Sequence, residues 1–508
     1  MGFGQDEIGK KRENFAADRY TLAMKRYRLT SLGCKVNQYD GAALGELLRR
    51  RGYVLAETGE AEVVLVNTCS ITAVAMKKSR QQLRKMVREN PAAGIAVVGC
   101  YSTYHADAVV EALAQAGADP SRILVAGHHE DLAAAMETFV DQLESDQAET
   151  ATVPSGEVET IRRRRLDALE AGAVGAEHLP PIAKFAGHQR AFVKVQDGCD
   201  AFCSYCVVPY TRSRVWSKSV TEVVAECGQL VQAGHREIVL CGVFLGAFGR
   251  ETAIRAKWNL AETPLAELVR RVGAIDGLWR VRLSSLEPAD ATDELMDAMR
   301  KTPTFAPHLH LPLQSGSGEI LRAMNRQYTP DEFLAATARL HAAFDRPALS
   351  TDIIVGFPGE TDAHFAETMA VAKQSGFMKI HAFPFSAIEP TPAWQKRAQC
   401  PPGDVVRARL AQLAELEAEM AGAYRQQFVG ESVEALVEWV SSAKQEETKG
   451  ERFFAPTTET ETKQTARAMT DRYVTVEFPA TTETKKGDLV RVDISTVTDD
   501  GLSGTLMR

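Results

Sequence analysis

The fold of the central part of this chain is decided by residues 191–206, which read AFVKVQDGCDAFCSYC. The first five residues are apolar enough to predict a buried strand. The strand leads directly into a loop with three cysteines, Cys199, Cys203 and Cys206, at C-x3-C-x2-C spacing. Three thiolates can hold three irons of a cubane iron–sulfur cluster, which leaves the fourth iron open, whereas an electron carrier usually has four cysteines. A zinc site is the alternative, but such sites mostly use four ligands, and no His or fourth Cys is close in sequence.

Alternating strands and helices continue after this loop. Strands are predicted at residues 237–242, 279–288, 308–317 and 348–359, and helices at 219–233, 265–272, 289–299 and 332–344. Five or six such repeats predict a full or partial α/β barrel, whose active site lies at the carboxyl ends of the strands. One mouth is therefore expected to gather the cysteine loop and the polar residues that close these strands: Ser285, Glu287, Gln314 and Asp352.

Three more cysteines end predicted strands in the amino-terminal part of the chain: Cys34, Cys69 and Cys100. Residues 61–69 and 94–100 are typical of buried parallel strands, whereas residues 27–34 are more polar. Helices predicted at 41–51 and 73–88 complete an alternation that implies a parallel sheet. The cysteines then share the edge where open α/β sheets bind ligands, which favours a second metal cluster. Cysteines that only fill space are the alternative.

Composition indicates a soluble globular protein, since 45% of the 508 residues are hydrophobic and 25% are charged. The sequence contains neither a run of 18 apolar residues nor the apolar core of a signal peptide, so we expect a cytoplasmic protein without a membrane partner. Nine cysteines are too few for a disulfide scaffold. The net charge of −8 does not suggest nucleic-acid binding, but six basic residues and no acidic one lie between Lys77 and Arg88.

The predicted fold class is α/β with three structured parts. Residues 428–508 are rich in Thr, Val and Glu with short alternating strands, which predicts a small β-barrel of a kind often used to bind RNA. A long helix, residues 405–427 with Asp404 as its N-cap, precedes it. The predicted organisation is a leader, an amino-terminal α/β domain, a linker, the barrel and the small β-barrel, at residues 1–25, 26–140, 141–184, 185–420 and 428–508.

After the leader, the whole chain resembles the methylthiotransferases of the radical S-adenosylmethionine (SAM) superfamily, which combine an amino-terminal cysteine domain, a radical-SAM barrel and a TRAM β-domain. Besides the Cys199 loop, the shared segments are GCKVNQYD (33–40), NTC (67–69), GC (99–100), SSLEP (284–288), LPLQSGS (311–317) and TDIIVGFPGET (351–361). Lys-Val-Asn-Gln-Tyr after Cys34 resembles the branch that acts on N6-threonylcarbamoyladenosine (t6A) in tRNA. The isopentenyl-adenosine branch usually has Gln-Met-Asn there, and the ribosomal-protein branch has Pro-Lys-Asn.

The resemblance implies two 4Fe-4S clusters and SAM as cofactors. Cys199, Cys203 and Cys206 would hold the cluster that cleaves SAM to a 5′-deoxyadenosyl radical, which removes hydrogen from C2 of the adenine. The other trio, Cys34, Cys69 and Cys100, would hold an auxiliary cluster that presents sulfur. The implied partners are the tRNA anticodon loop and an electron donor such as flavodoxin or ferredoxin. The expected SAM-binding residues are Tyr205, Gly242, Ser285, Glu287, Gln314 and Asp352.

The expected reaction converts t6A beside the anticodon to 2-methylthio-t6A. An aromatic C–H bond has no proton that His or Glu can remove, so the cofactor must supply the chemistry. Two alternatives remain within the superfamily: methylthiolation of isopentenyl-adenosine in tRNA, or of a ribosomal protein. A more remote alternative is a non-catalytic iron–sulfur protein that binds RNA.

Overall fold

The structure is a computed structural model that describes residues 24–145, 179–185, 189–259, 263–441 and 464–507. Most of the predicted leader and linker lies outside the described residues. The chain divides into two compact units. The first comprises Met1–Gly33, Asp40–Cys69 and Ala75–Pro180, and the second comprises Cys34–Tyr39, Ser70–Val74 and Pro181–Arg508.

A parallel sheet forms the centre of the first unit. Its described strands lie in the order β2-β1-β3-β4-β5. They are β1 (Arg26–Ser31), β2 (Val54–Leu55), β3 (Val63–Thr68), β4 (Gly94–Gly99) and β5 (Ile123–Val125). The helices in this part of the chain are α1 (Lys35–Arg50), α2 (Ala73–Glu89), α3 (Cys100–Tyr104), α4 (Ala106–Gln115) and α5 (Leu132–Ser145).

Helices cover both faces of this sheet, and β3 explains why its sequence is apolar throughout. Successive strand residues point to opposite faces. Val63 and Leu65 pack in one core cluster with residues of α1 and α5. Val64 and Val66 pack in another with residues of α2 and α4. A strand buried on both sides requires a continuous apolar run, so the predicted parallel sheet is confirmed.

Helix α1 begins earlier than predicted, at Lys35 rather than at residue 41. Val36, Tyr39 and Ala43 are buried at helical spacing. The polar segment between Cys34 and Gly41 concealed this pattern, because Asn37 and Asp40 are also buried. Burial of polar side chains depends on partners far away in sequence, so a local reading of the chain does not reveal it.

A partial α/β barrel forms the main part of the second unit. One sheet has the order β7-β6-β8-β9 and another has the order β10-β11-β12. Parallel bridges between Val281 and Phe305 and between Ser285 and His310 join them. The strands are β6 (Arg190–Asp197), β7 (Trp216–Ser217), β8 (Glu237–Gly242), β9 (Arg280–Leu283), β10 (His308–His310), β11 (Ala348–Val355) and β12 (Lys379–Pro384).

The barrel prediction is thus confirmed, with β12 as a strand that the sequence reading did not include. The helices of this part are α6 (Val208–Thr211), α7 (Val220–Gln232), α8 (Pro264–Gly273), α9 (Asp293–Lys301), α10 (Gly318–Ala323), α11 (Pro330–Ala343), α12 (Asp362–Ser375), α13 (Pro392–Gln395) and α14 (Gly403–Gln426). Pro402, not Asp404, is the N-cap of α14, so Asp404 lies in the first helical turn. Its charge still favours that helix end. Among the described residues, no helix combines the length and apolarity needed to cross a bilayer.

The carboxy-terminal strands close into a small barrel in the order β13-β14-β15-β17-β16, as predicted. They are β13 (Ser432–Val440), β14 (Thr465–Thr470), β15 (Thr475–Pro479), β16 (Leu489–Val497) and β17 (Gly501–Leu506). The core of this β-barrel includes Tyr424 and Phe428 from the end of α14 and Met378 beside β12. The β-barrel therefore shares its core with the rest of the second unit.

Candidate active site

The cysteine loop of the α/β barrel starts at a buried carboxylate. Asp197 ends β6 and forms ion pairs with Lys194 at 2.7 Å and Arg212 at 2.8 Å. It also accepts a 2.8 Å hydrogen bond from the N–H of Gly198. Gly198 has φ of +76°, and a side chain there would collide with the carbonyl of Arg214. Only glycine allows this turn, which leads the chain from β6 into the loop.

The loop brings its three predicted cluster ligands together. The Cys199 N–H donates to Arg212 O at 3.1 Å, and the Cys206 N–H donates to Cys203 O at 3.0 Å. Burial raises the pKa of the Cys199 thiol, and interaction with Cys206 and Cys203 raises this pKa further. The backbone hydrogen bonds close the loop that carries the three cysteines. Within the described residues, no three Cys, His, Asp or Glu side chains are spaced to bind one metal ion, but cluster cysteines each bind a different iron.

Two hydrogen-bond donors point at sulfur atoms of this loop. Arg326 Nη1 lies 3.2 Å from Cys203 Sγ, and the N–H of Val208 lies 3.4 Å from Cys206 Sγ. Donors of this kind stabilise thiolates, and hydrogen bonds to the sulfurs tune the reduction potential of a bound cluster. The residues present therefore fit an iron–sulfur cluster held by these cysteines.

Arg326 also connects two of the predicted SAM-binding residues. Its Nη2 donates to Glu287 Oε1 at 2.6 Å, and its Nη1 lies 3.5 Å from the hydroxyl of Tyr205. Arg255 pairs with the other oxygen of Glu287 at 3.4 Å and with Asp290 at 2.7 Å. Burial raises the pKa of the Asp290 carboxyl. A buried network of two guanidinium groups and two carboxyl groups thus lies beside the cysteine loop.

Three other predicted SAM-binding residues meet around His310. Ser285 pairs with His310 across neighbouring strands. His310 Nε2 lies 3.3 Å from Asp352 Oδ2. The N–H of Gln314 donates to the carbonyl of Asp352 at 2.8 Å, and Gln314 has φ of +61°. The remaining predicted residue, Gly242, ends β8, and its N–H lies 3.4 Å from Ser284 Oγ. SAM binding by these residues stays a prediction.

The sequence analysis did not identify Arg326, Arg255 or His310 as site residues. Arg326 lies 123 positions from Cys203, and no local pattern connects the two. The sequence offers one indirect signal. Helix α10 directly follows the segment at residues 311–317 that the family shares, and Arg326 lies just after this helix. The structure is required to identify it because the guanidinium reaches the loop only through the fold.

The strands that precede the second cysteine trio are neighbours in the sheet. Strands β1, β3 and β4 pair in parallel, and the N–H of Leu32 continues the pairing to Asn67 O at 2.8 Å. Cys69 and Cys100 follow β3 and β4 directly and are buried, while Cys34 follows Gly33 and is exposed. The strand order reverses between β1 and β3, and such switch points form ligand crevices at the carboxyl ends of strands.

Gly99 has a structural role just before Cys100. Its φ is +102°, and a side chain at this position would collide with Asn67 Oδ1 and the carbonyl of Thr68. The hydroxyl of Ser79 donates to the carbonyl of Cys69 at 3.2 Å and fixes the turn after β3. These contacts hold Cys69 and Cys100 at the ends of adjacent strands.

Comparison with known proteins agrees with this architecture. Residues 193–372 match the radical SAM superfamily, and residues 26–117 match a family described as uncharacterized protein family UPF0004. Among solved structures, the radical SAM methyltransferase TsrM from Kitasatospora setae matches with a TM-score of 0.48 and 14% identity, over 72% of this chain and 76% of that chain. The superfamily match over residues 193–372, which include the cysteine loop, identifies a radical-SAM enzyme, which uses SAM and a 4Fe-4S cluster.

Curated relatives identify the family within this class. A threonylcarbamoyladenosine tRNA methylthiotransferase MtaB from Chlamydia pneumoniae is 32% identical over 95% of this chain and 98% of its own. The MtaB from Bacillus subtilis is 33% identical over 91% and 92%. A tRNA-2-methylthio-N(6)-dimethylallyladenosine synthase from Maricaulis maris is 35% identical over 82% and 87%. The chain belongs to the radical-SAM tRNA methylthiotransferases and resembles their MtaB branch, so the identification made from sequence motifs is confirmed.

Proposed function

We propose that this protein methylthiolates C2 of t6A beside the anticodon and so forms 2-methylthio-t6A. The similarity to MtaB-named relatives carries the proposal, because it extends over 95% of the chain for the protein from Chlamydia pneumoniae and 91% for the one from Bacillus subtilis, although over 82% for the one from Thermotoga maritima. The relatives named for dimethylallyladenosine cover 81–83%. The segment after Cys34, KVNQY, supports the same branch.

The proposal includes an auxiliary cluster held by Cys34, Cys69 and Cys100. It is supported by the strands β1, β3 and β4, which end at one sheet edge. Two polar groups close to these cysteines in the sequence also support it. The hydroxyls of Ser31 and Ser70 are buried, and neither has a hydrogen-bond partner within the described part of the chain. A buried hydroxyl without a hydrogen-bond partner costs free energy, and donation to a sulfide of a cluster would offset that cost.

The proposed roles of the three parts follow the predicted boundaries. Residues 26–140 hold the auxiliary cluster, residues 185–420 bind SAM, and residues 428–508 act as a TRAM-like domain that binds tRNA. When bound, the loop cluster supplies the electron that cleaves SAM, with flavodoxin or ferredoxin as the donor. Cys199, Cys203 and Cys206 hold that cluster, Arg326 and Val208 donate to its thiolates, and Glu287 keeps Arg326 in position.

A single experiment distinguishes the proposed substrate from its main competitor. The reconstituted, reduced protein is incubated with SAM and with tRNA that carries either t6A or isopentenyl-adenosine, and the nucleosides are analysed by mass spectrometry. We expect 2-methylthio-t6A from the first tRNA and no methylthio product from the second. Isopentenyl-adenosine is the competing substrate to test, because the relative from Maricaulis maris is named for dimethylallyladenosine, which is the same modified base. Product from that tRNA alone would reject the proposal.

A further inference from the structure

The second unit contains a cavity of about 640 Å³ that is lined by residues of the α/β barrel, of α14 and of the small β-barrel. This volume is typical of a small-ligand site. Barrel residues that line it include Ser284, His308, His310 and Ser350, so the cavity adjoins the group of predicted SAM-binding residues around His310. Lys35, the residue after Cys34, also lines it and belongs to the same unit.

Only some of the charged side chains that line this cavity have an ion-pair partner. Lys379 is paired with Glu417, and both line the cavity. Lys35 is half-buried, and in the part of the chain that the structure describes no carboxylate lies within ion-pair distance of it. The other charged residues that line the cavity are Arg425, Asp499 and Asp500. A half-buried ammonium group without a carboxylate partner favours the binding of an anion.

Two of the imidazoles that line the cavity, those of His308 and His381, are neutral hydrogen-bonding groups. Burial lowers the pKa of His308 well below its ordinary value, and Arg282, His310 and Lys35 lower it further. Burial also lowers the pKa of His381. His308 Nδ1 is buried and has no hydrogen-bond partner among the described residues. Among the described residues, two cations that line the cavity, Lys35 and Arg425, have no carboxylate within ion-pair distance, and of these two Lys35 belongs to the segment that begins at Cys34. The cavity also offers the unused imidazole nitrogen of His308.

We propose that Lys35 binds the threonyl carboxylate of the t6A base and selects this substrate over bases with an uncharged N6 substituent. The inference rests on the proposed function and assigns a specificity residue to it. In adenine, C2 and C6 both adjoin N1, so the substituent on N6 and the reacting carbon lie on the same edge of the ring. A carboxylate held by Lys35 therefore keeps the edge of the base that carries C2 on the side of Lys35, the residue that follows Cys34 in the chain. The cavity has room for the threonylcarbamoyl group beside the histidines.

The test combines a change in the protein with a matching change in the substrate. The substrates are two anticodon stem-loops, one with t6A and one with the neutral carboxamide of its threonyl group. Wild-type protein should use the carboxamide with a kcat/KM about 10- to 150-fold lower, as expected for loss of one charge-assisted hydrogen bond. Lys35→Gln should lose the same factor with t6A and show no further loss with the carboxamide. Lys35→Arg keeps the charge and should retain most of the discrimination.

Two control variants locate the effect. Lys373 is exposed on α12 and does not line the cavity, so Lys373→Gln should discriminate as the wild type does. Arg425→Gln removes the second cation that lines the cavity, and it should also keep the discrimination. If Arg425→Gln abolishes the discrimination while Lys35→Gln preserves it, the carboxylate is bound elsewhere and the inference is wrong.

The result for wild-type protein separates this inference from the proposed function. Equal use of t6A and its carboxamide, with 2-methylthio-t6A formed, would reject the role of Lys35 and leave the proposed function intact. Methylthiolation of isopentenyl-adenosine without any product from t6A would reject the proposed function itself. Because the substrate comparison uses unaltered protein, it does not depend on whether a variant folds.

Discussion

Arg326→Met should make the loop cluster harder to reduce. Arg326 Nη1 lies 3.2 Å from Cys203 Sγ, and the side chain is 6% exposed. At an effective dielectric constant of about 20, one unit charge at this distance from another contributes about 5 kcal/mol. Glu287, 2.6 Å from the same guanidinium, cancels most of this, so loss of the hydrogen bond to a charged sulfur, about 1.5–2 kcal/mol, dominates. If the hydrogen bond stabilises mainly the more negative, reduced cluster, the potential in a one-electron couple becomes more negative by at most about 60–90 mV.

The assay is a redox titration of the cluster signal by electron paramagnetic resonance. Cys69→Ala is present in all samples so that the loop cluster alone is measured. Arg322→Met is the matched control, because Arg322 is exposed on α10, and it should leave the potential unchanged. Glu287→Gln should have the opposite sign, since it leaves the charge of Arg326 uncompensated. A potential that is the same in Arg326→Met and in the control would refute the role given to Arg326.

Four further predictions follow from the same contacts. Cys203→Ala should abolish 5′-deoxyadenosine release from SAM, and wild-type release would remove Cys203 from the cluster ligands. Cys69→Ala should still release 5′-deoxyadenosine, keep about half of the iron and form no methylthio product; full product formation would contradict an auxiliary cluster. Trp439 is 42% exposed on the β-barrel, with Arg467 over its ring, so Trp439→Ala should weaken tRNA binding roughly 5- to 150-fold in a filter assay, and unchanged binding would place the RNA elsewhere. Burial alone would raise the pKa of Glu237, but the ion pair with Arg282 holds this pKa below 4.5. The pair's contribution to folding stability is therefore complete above pH 4.5 and is lost as the pH falls through the folded-state pKa. In thermal melts between about pH 3 and 6, Arg282→Met should remove this pH-dependent loss of stability, and an unaltered loss would assign it to another group.

The carboxy-terminal part of the chain is less separable than its sequence suggests. Its sequence predicts a small β-barrel of a kind often used to bind RNA. In the structure, Arg282 of β9 is 0% exposed and donates to the carbonyls of Thr470 and Asp471, while its Nε pairs with Glu237 at 2.6 Å. Removal of the β-barrel would leave these buried groups without partners, which costs about 3–5 kcal/mol for a broken buried pair. Point substitutions on its surface are therefore the better test of RNA binding.

Features that depend on neighbouring residues could be predicted from the sequence. The apolar run at residues 63–66 is typical of a strand covered on both faces, and a cysteine just after such a strand is expected at the sheet edge. Glycines such as Gly198 and Gly99 precede cysteines because the backbone turns there with positive φ. Such features are encoded locally, so the α/β class, the barrel and the positions of both cysteine trios along the strands could be predicted.

Contacts between side chains that are far apart in sequence depend on the tertiary structure. Arg326 reaches Cys203 across 123 positions, and Arg282 reaches the carbonyl of Thr470 across 188. The cavity places Lys35 among histidines of β10 and β12. An ion pair or a hydrogen bond leaves no periodic trace in the sequence around either partner, because its energy depends on distance and burial in the folded chain. These charged groups meet only in the folded chain, and they form the polar part of the site.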